Sequence, residues 1–416
     1  MDRDEAAALD RADPLAGFRA EFEQPTGASP AQDPIYLAGN SLGLRCKGAV
    51  RAVRRELDRW GSRAIGGWNE RWLALAEETA DRLAALVGVP AGSVRVADST
   101  TVSLFKLAEA ARGSDEARRD VVVEAGAFPT DRYVLDAVAA RGGGKVRVLD
   151  GPPEPGPVAG AIDASVGLVA LSHVDFRTGE LADLEAITGV VRSTGVRTLW
   201  DLSHSVGVVP TELHDAGVDL AVGCTYKYLF GGPGSPAFVY VRPGLGEQLA
   251  SPIPGWFGHA DPFAMDVAYR PASGAGRFLS GTPPLVSLAA LSGALEVVLD
   301  AGVGAIRTKS EALGALAIDL AERHLSRHGV EVATPRAAPR RGSQVALRHA
   351  DAWRVTRMAV ESLGVVVDFR EPDLVRLGLS PLTTRYTDVV ESIERLGRGL
   401  DDRVYERFGE DRPAVT

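Results

Sequence analysis

The sequence predicts an α/β protein, with a large domain on a mostly parallel sheet and a smaller α+β domain at its C-terminal end. Three observations lead there. Short runs ending at Ala97, Ala125, Ser172, Asp201 and Thr225 alternate with helical patterns, the rhythm of βαβ units. The run VVVEA at 121–125 does not alternate in polarity, as expected of a strand buried on both faces of a parallel sheet. From Ala301 the pattern changes to helices mixed with short strands. Each of the early runs is followed at once by residues able to do chemistry. In open parallel sheets ligands lie outside the carboxyl ends of the strands, so segments distant in sequence converge on one crevice.

Bulk properties narrow the function. The chain has 416 residues, 45% hydrophobic and 24% charged, with a formal charge of −9. No basic surplus is present to neutralise phosphates, which argues against nucleic acid or an anionic membrane as partner. The two cysteines, Cys46 and Cys224, are far apart in sequence, so neither a disulfide framework nor a metal site is predicted and a reducing compartment is expected. The start, MDRDEAAALDRADPLAGF, is acidic and lacks an apolar leader core. No run reaches the ~18 apolar residues of a membrane span, and a cytoplasmic location is expected.

Residues 5–20 read as a helix, followed by the polar stretch GASPAQDP and the entry IYLAGNSLG at 35–43. Asn40 and Ser41 read either as caps of the next helix or as groups near a ligand. That helix, 47–61, carries an apolar stripe at Val50, Val53, Leu57 and Trp60. Trp68 reads as core or as a ligand platform. After the strand ending at Ala97, Thr100 and Thr101 open a helix, where free N–H groups and the dipole favour an anion; a plain N-cap is equally compatible. Phe128 offers a ring face after the next strand and Asp131 a carboxylate. Ser172 ends another strand. His204, three residues past Asp201, reads as a hydrogen-bonding group at the site or as a core histidine.

The centre of this arrangement is Lys227 in TYKYLFGGPG. A lysine at a strand end, before a Gly/Pro turn that can continue neither helix nor strand, suits a Schiff-base role, because desolvation favours the free amine. Pyridoxal phosphate chemistry also needs a carboxylate that keeps the pyridine nitrogen protonated. Asp201, in TLWDLSH, offers it.

The run WDLSHSVGVVPTELHDAGVDLAVGCTYKYLFGGPG (200–234) resembles the kynureninases, pyridoxal-phosphate hydrolases of the aspartate aminotransferase superfamily. YLAGNSLG, FPTDRY, GWFGH and GTPP resemble further signatures of that family in the same order. The resemblance implies fold type I, a PLP-dependent transferase-like fold with a seven-stranded sheet. It divides the chain into 1–45, joining the small domain, 46–300, the large cofactor domain, and 301–416, the small domain. It implies cofactor contacts from Thr100, Thr101, Phe128, Asp131, Ser172, Asp201, His204, Tyr226 and Lys227. Trp256 and Thr282 would reach the cofactor phosphate of the opposite subunit, making a homodimer with shared active sites. Thr282 also reads as the cap of the long helix from about Pro283.

Catalysis is expected from Lys227, Tyr226 and Asp201. Arg376 is expected to clamp the substrate carboxylate, with Arg341, Arg370 and Arg385 as alternatives from sequence alone. Trp68 falls where animal members carry an aryl-contacting histidine and bacterial ones a tryptophan. The implied reaction is hydrolysis of L-kynurenine to anthranilate and L-alanine in tryptophan catabolism, with links to NAD biosynthesis. 3-Hydroxykynurenine is a second candidate substrate, but animal enzymes that prefer it have Asn where this chain has Thr282, which favours the plain substrate. Two departures stand out: Ser103 where the family commonly has Asn, and Thr383 where it commonly has Tyr. Rival readings are an enzyme for a substituted kynurenine in secondary metabolism, a cysteine-desulfurase-type lyase, and a non-catalytic cofactor-binding protein. The second lacks a loop cysteine. Intact Lys227, Asp201 and Arg376 oppose the third. The tail after Arg407 is expected to fray.

Overall fold

A computed structural model describes residues 1–27, 29–31, 33–112 and 117–411. Ala28 and Gln32 of the polar stretch, and 412–416 of the tail, lie outside the described residues. The N-terminal part contributes α1 (Arg3–Ala12) and three two-residue strands, β1 (Phe22–Glu23), β2 (Ile35–Tyr36) and β3 (Arg45–Cys46). Asp2 and Glu5 form a reciprocal capping box at the start of α1. Two helices follow, α2 (Lys47–Arg63) and α3 (Leu73–Leu86).

The large sheet is then laid down by β4 (Val94–Val96), α4 (Thr100–Arg112), β5 (Asp120–Glu124), α5 (Pro129–Arg141), β6 (Val146–Leu149), α6 (Pro155–Ala161), β7 (Val166–Ser172), α7 (Leu184–Ser193), β8 (Arg197–Asp201), β9 (Leu220–Gly223) and β10 (Phe238–Val241). Its seven strands run in the order β4-β10-β9-β8-β7-β5-β6. β5 to β9 pair in parallel, while β10 is antiparallel to both β9 and β4. β4 therefore points the same way as the parallel strands, and the strands that carry the predicted site residues all deliver their carboxyl ends to one edge. The fully buried β5 and β9 are sandwiched by the two cores that flank the sheet.

Beyond the sheet come α8 (Leu285–Ala301), α9 (Val303–His324), β11 (Glu331–Val332), β12 (Gln344–Arg348), α10 (Ala352–Glu361), β13 (Val365–Val366), β14 (Asp368–Arg370), β15 (Leu374–Gly378) and α11 (Tyr386–Asp401). An antiparallel sheet β11-β12-β15-β14 backs onto helices, and β13 pairs in parallel with β2. The second core accordingly mixes Ala6, Ile35 and Leu37 with residues 313–400.

The structure corrects several local expectations. Asn40 and Ser41 do not cap α2, whose N-cap is Cys46. Thr282 does not cap α8, which begins at Leu285 with Pro284 as N-cap and no side-chain cap bond; two prolines delay the first turn. On α2 the buried face is Gly48, Ala49, Ala52 and Glu56, because Gly48 and Gly293 let α2 and α8 approach until their backbones touch. Of the predicted apolar stripe, Val50 and Val53 are half-buried, while Leu57 and Trp60 are 43% and 63% exposed. The tail is docked at least as far as Asp411, whose carbonyl accepts from Trp353 Nε1 at 3.2 Å, while Phe408 lies under the Arg357 guanidinium.

Candidate active site

At the carboxyl edge of the sheet lies a cavity of about 470 Å³. Its lining includes Thr100, Thr101, Phe128, Asp131, Ser172, Asp201, His204, Tyr226 and Lys227. Sequence-distant strand ends thus meet where the parallel topology requires.

Lys227 follows β9 in a loop whose Gly232 and Gly234 take φ of 86° and 74°, values open to glycine and strained for other residues. The lysine is half-buried, and its Nζ lies 2.8 Å from His204 Nε2. Of the two readings of His204, the structure gives the hydrogen-bonding group at the site, facing the lysine. Burial first, then the charges of Lys227, Arg376 and Arg370, hold His204 well below its usual value, so the imidazole is neutral. Tyr226 lies under the same ammonium, 5.9 Å from Nζ to the ring centroid. Burial, then Cys224 and the Asp201 carboxylate, push its phenol up. Tyr226 is therefore a protonated donor, not an anion in waiting.

Asp131, in the first turn of α5, and Asp201, at the end of β8, stand together in the lining of this cavity. Burial, then the charges of Asp201 and Glu124, hold Asp131 well above the usual carboxylate range. Two carboxyls so close cannot both ionise freely, and Asp131 keeps a proton between them. The Ser203 amide donates to Asp201 Oδ1 at 2.7 Å, fixing that side chain. Ser99 takes the N-cap position of α4, its Oγ 3.4 Å from the Val102 amide, which leaves Thr100 and Thr101 in the first turn beside the cavity.

Other predicted residues stand apart from this lining. Asn40, Ser41 and Arg376 form a neighbouring cluster. Arg376 is fully buried; its Nε and Nη2 donate to Asp368 Oδ1 and Oδ2, both at 2.6 Å. Ser41 Oγ donates to Asp368 and accepts from Arg376 at 3.0 Å and Arg370 at 3.2 Å. The Asn40 side-chain amide lies against the same guanidinium and is joined to Gln344 Oε1 at 3.1 Å. The expected carboxylate fork is thus already engaged by Asp368. Arg376 Nη1 reaches the Phe176 carbonyl, and that links the cluster to the cavity.

Of the alternative arginines, Arg341 donates to the Arg336 and Glu311 carbonyls and Arg385 pairs with Asp388 at 2.7 Å. Trp68 and Trp256 lie outside the cavity lining in one aromatic cluster with Phe257, 6.1 and 4.5 Å away between centroids. Thr282 is exposed. Thr383 is buried, its Oγ1 3.3 Å from the Ser380 carbonyl, and does not line the cavity.

Sequence reasoning missed several residues. Phe176 lines the cavity and meets Phe128 edge-on, with centroids 5.1 Å apart; a lone aromatic in the turn after β7 gives no periodic signal. Gly43 donates its amide to the Tyr226 carbonyl at 2.8 Å, and a Cβ there would collide with the Lys227 carbonyl oxygen. Asp98, at a φ of 54°, is tied to the buried Lys106 at 2.5 Å. Glu124 is buried at the end of β5, accepting from the Ser172 amide at 2.9 Å.

The donor set fits pyridoxal phosphate: a primary amine, a carboxyl pair holding a proton, an aromatic face and hydroxyl residues at a helix N-terminus, around one cavity. The cavity is large enough for a small cofactor and substrate. Cys46 and Cys224 are both free and buried, so neither is a mobile loop thiol.

Comparisons with known proteins agree. The cysteine desulfurase CsdA from Escherichia coli is similar in structure, with a TM-score of 0.80 at 19% identity over 93% of this chain and 98% of that one. A variant of C-DES with glycine covalently linked to its PLP cofactor gives a TM-score of 0.76 at 19% identity, over 88% of this chain and 96% of that one. At such identity the likeness establishes the fold, that of the type I pyridoxal-phosphate enzymes. A family model described as the kynureninase C-terminal domain matches residues 306–396. The kynureninase of Pseudomonas fluorescens is 40% identical over 97% of this chain and 96% of its own length. That of Burkholderia pseudomallei strain K96243 is likewise 40% identical, over 97% and 96%. With its fold, its cavity and near full-length identity in agreement, the chain belongs to the kynureninase family of pyridoxal-phosphate-dependent hydrolases.

Proposed function

We propose that the protein hydrolyses L-kynurenine to anthranilate and L-alanine, with Lys227, Tyr226 and Asp201 as its catalytic groups. The observation that carries this reading is the meeting of Lys227 with a neutral His204 in the cavity that also holds the Asp131–Asp201 pair. Lys227 would hold the cofactor covalently, the first turn of α4 at Thr100 and Thr101 its phosphate, Phe128 one ring face, and the carboxyl pair its ring nitrogen, with Ser172 and His204 beside it. When bound, pyridoxal phosphate supplies an electron sink for charge developing at the substrate Cα.

The chain's own groups supply the rest. The Lys227 amine, 2.8 Å from an unprotonated imidazole, is placed to take and return the Cα proton. The phenol of Tyr226 keeps its proton and donates it at the ketone oxygen. Asp131 and Asp201 keep a proton opposite the ring nitrogen. Arg376, with Asn40 and Ser41 around it, receives the substrate carboxylate by sharing donors now given to Asp368 and the Phe176 carbonyl.

The reading extends to a homodimer with shared active sites. What supports it is exposed apolar surface: Trp60 (63%) on α2, Ile65 (84%) in the turn after it, and Met265 (68%) and Val267 (106%) in the 253–269 segment, the kind of surface a partner covers. A second subunit covering them would bring Trp256 and Thr282 to the neighbouring cavity, with Trp68 near the aryl ring. A cytoplasmic place in tryptophan catabolism, with links to NAD biosynthesis, follows from the substrate. Among the described residues no single helix is long and apolar enough to cross a membrane.

The test is anthranilate fluorescence from L-kynurenine with the cofactor-loaded protein, beside 3-hydroxykynurenine under the same conditions. Faster release from the unsubstituted substrate is expected, in keeping with Thr282. Cleavage of neither substrate, with the cofactor chromophore present, would overturn the substrate assignment and point to a substituted kynurenine.

A further inference from the structure

Glu124 is used by no step above, yet it is the charged residue in the most protected place on the sheet. It ends β5 and is 6% exposed. One carboxyl oxygen accepts from the Ser172 amide at 2.9 Å; the other, Oε2, is buried with no hydrogen-bond partner. A buried orphan oxygen is costly and calls for an explanation. On one side Glu124 bounds a small void together with Asp131 and Asp201. On the other it lines a second cavity of about 190 Å³, separate from the lysine cavity and sharing only Ser172 with it.

We propose that Glu124 is a positioning residue for the carboxyl pair, a third carboxyl group that sets how firmly Asp131 and Asp201 hold their proton and that exchanges with solvent through the second cavity. The inference rests on the reading of that pair as the partner of the cofactor ring nitrogen. The groups facing Glu124 are Asp131 from α5, Asp201 from β8, and Asp175 and Glu180 from the turn after β7. Arg340 closes the second cavity but is engaged with Glu154 and Glu180 at 2.6 and 2.7 Å. The neighbourhood is thus acidic, and the arginine that lines the second cavity is already paired.

Burial raises Glu124 to about 7 against the hydrogen bonds from Ser172, and the Asp175 charge adds to the rise. Ionised Glu124 in turn raises Asp131. The pair therefore holds its proton more firmly above that midpoint than below it, opposite to what an isolated acid would do in rising pH. When substrate fills the main cavity, the second cavity remains a path by which this proton count can adjust.

The experiment compares holoenzyme with its Glu124→Gln variant, which keeps the acceptor for Ser172 and removes the charge. Two readouts are taken across pH: the infrared band of protonated carboxyl groups, and the visible absorbance of the bound cofactor. The variant is expected to lose one carboxyl titration with a midpoint near 7 and to shift the cofactor titration to lower pH. Superimposable curves in either readout overturn the proposal. Asp175→Asn, which keeps its turn acceptors, should move the carboxyl step to lower pH without removing it, and an unmoved step overturns the proposal even if Glu124→Gln does not fold. L-Kynurenine cleavage by the wild type, run on the same sample, keeps failure of the functional reading distinct from failure of this one.

Discussion

Replacing Asp368 by asparagine is the perturbation that separates two roles for Arg376. Both partners are buried, Arg376 at 0% and Asp368 at 2% exposure, and two bonds of 2.6 Å join them. Opposite charges ~4 Å apart attract by about 4 kcal/mol at an effective dielectric constant of 20. Removing one partner of a buried pair costs ~3–5 kcal/mol, because the other charge is stranded. Arg370, 3.6 Å from Asp368, makes the surplus of positive charge worse. Asparagine retains one acceptor, which returns about 1 kcal/mol, so a loss of about 3 kcal/mol is expected.

The assay is urea unfolding of the apoprotein followed by tryptophan fluorescence, with Trp353, packed 5.7 Å from Phe369, among the reporters. The pH dependence fixes the sign. Burial alone would raise Asp368, but Arg376 holds it below its usual value. Its contribution is present above the ordinary carboxylate range and is lost as pH falls through the lowered value. The gap between wild type and Asp368→Asn should therefore be full at neutral pH and close in acid. A gap under ~0.5 kcal/mol, the scale of an ordinary surface change, or one that persists unchanged in acid, would refute the buried-pair argument. In the holoenzyme the freed guanidinium should leave the KM for kynurenine unchanged or lower; a large rise would mean that Asp368 itself shapes the carboxylate seat.

Other outcomes follow from the same geometry. Lys227→Ala should abolish the visible absorbance of the lysine-linked cofactor while circular dichroism shows a folded chain; an unchanged spectrum would sink the lysine assignment. Gly43→Ala drives a methyl group into the Lys227 carbonyl, and overpacking of this kind costs ~1–3 kcal/mol, so cofactor occupancy after dialysis should fall although residue 43 bears no functional group. Trp60→Glu places a charge on the exposed face of α2 and should shift sedimentation toward a monomer, with activity falling at low protein concentration; an unchanged dimer would move the interface elsewhere.

The fold was legible because its information is local. Unalternating strand runs and their Gly/Pro or hydroxyl ends announce a parallel sheet, and the sheet alone brings Thr100, Asp131, Ser172, Asp201 and Lys227 to one edge. What the sequence hides is pairwise geometry. His204 lies three residues after Asp201 but turns to Lys227, a choice made by the spacing of β8 and β9, which no one-dimensional pattern encodes. On α2, Gly48 and Gly293 allow backbone contact, so small residues make the buried face and the later half of the apolar stripe, Leu57 and Trp60, is left exposed.

Thr282 shows the same limit at a helix start, where Pro284 occupies the cap. Glu124 is the sharpest case. In VVVEA it is absorbed into a continuous buried strand, and only the structure shows its unpartnered oxygen and the small void it lines together with two other carboxyls. Polar residues at strand ends can be read from the sequence, whereas a group on the strand itself, such as Glu124, is specified by what it is buried against.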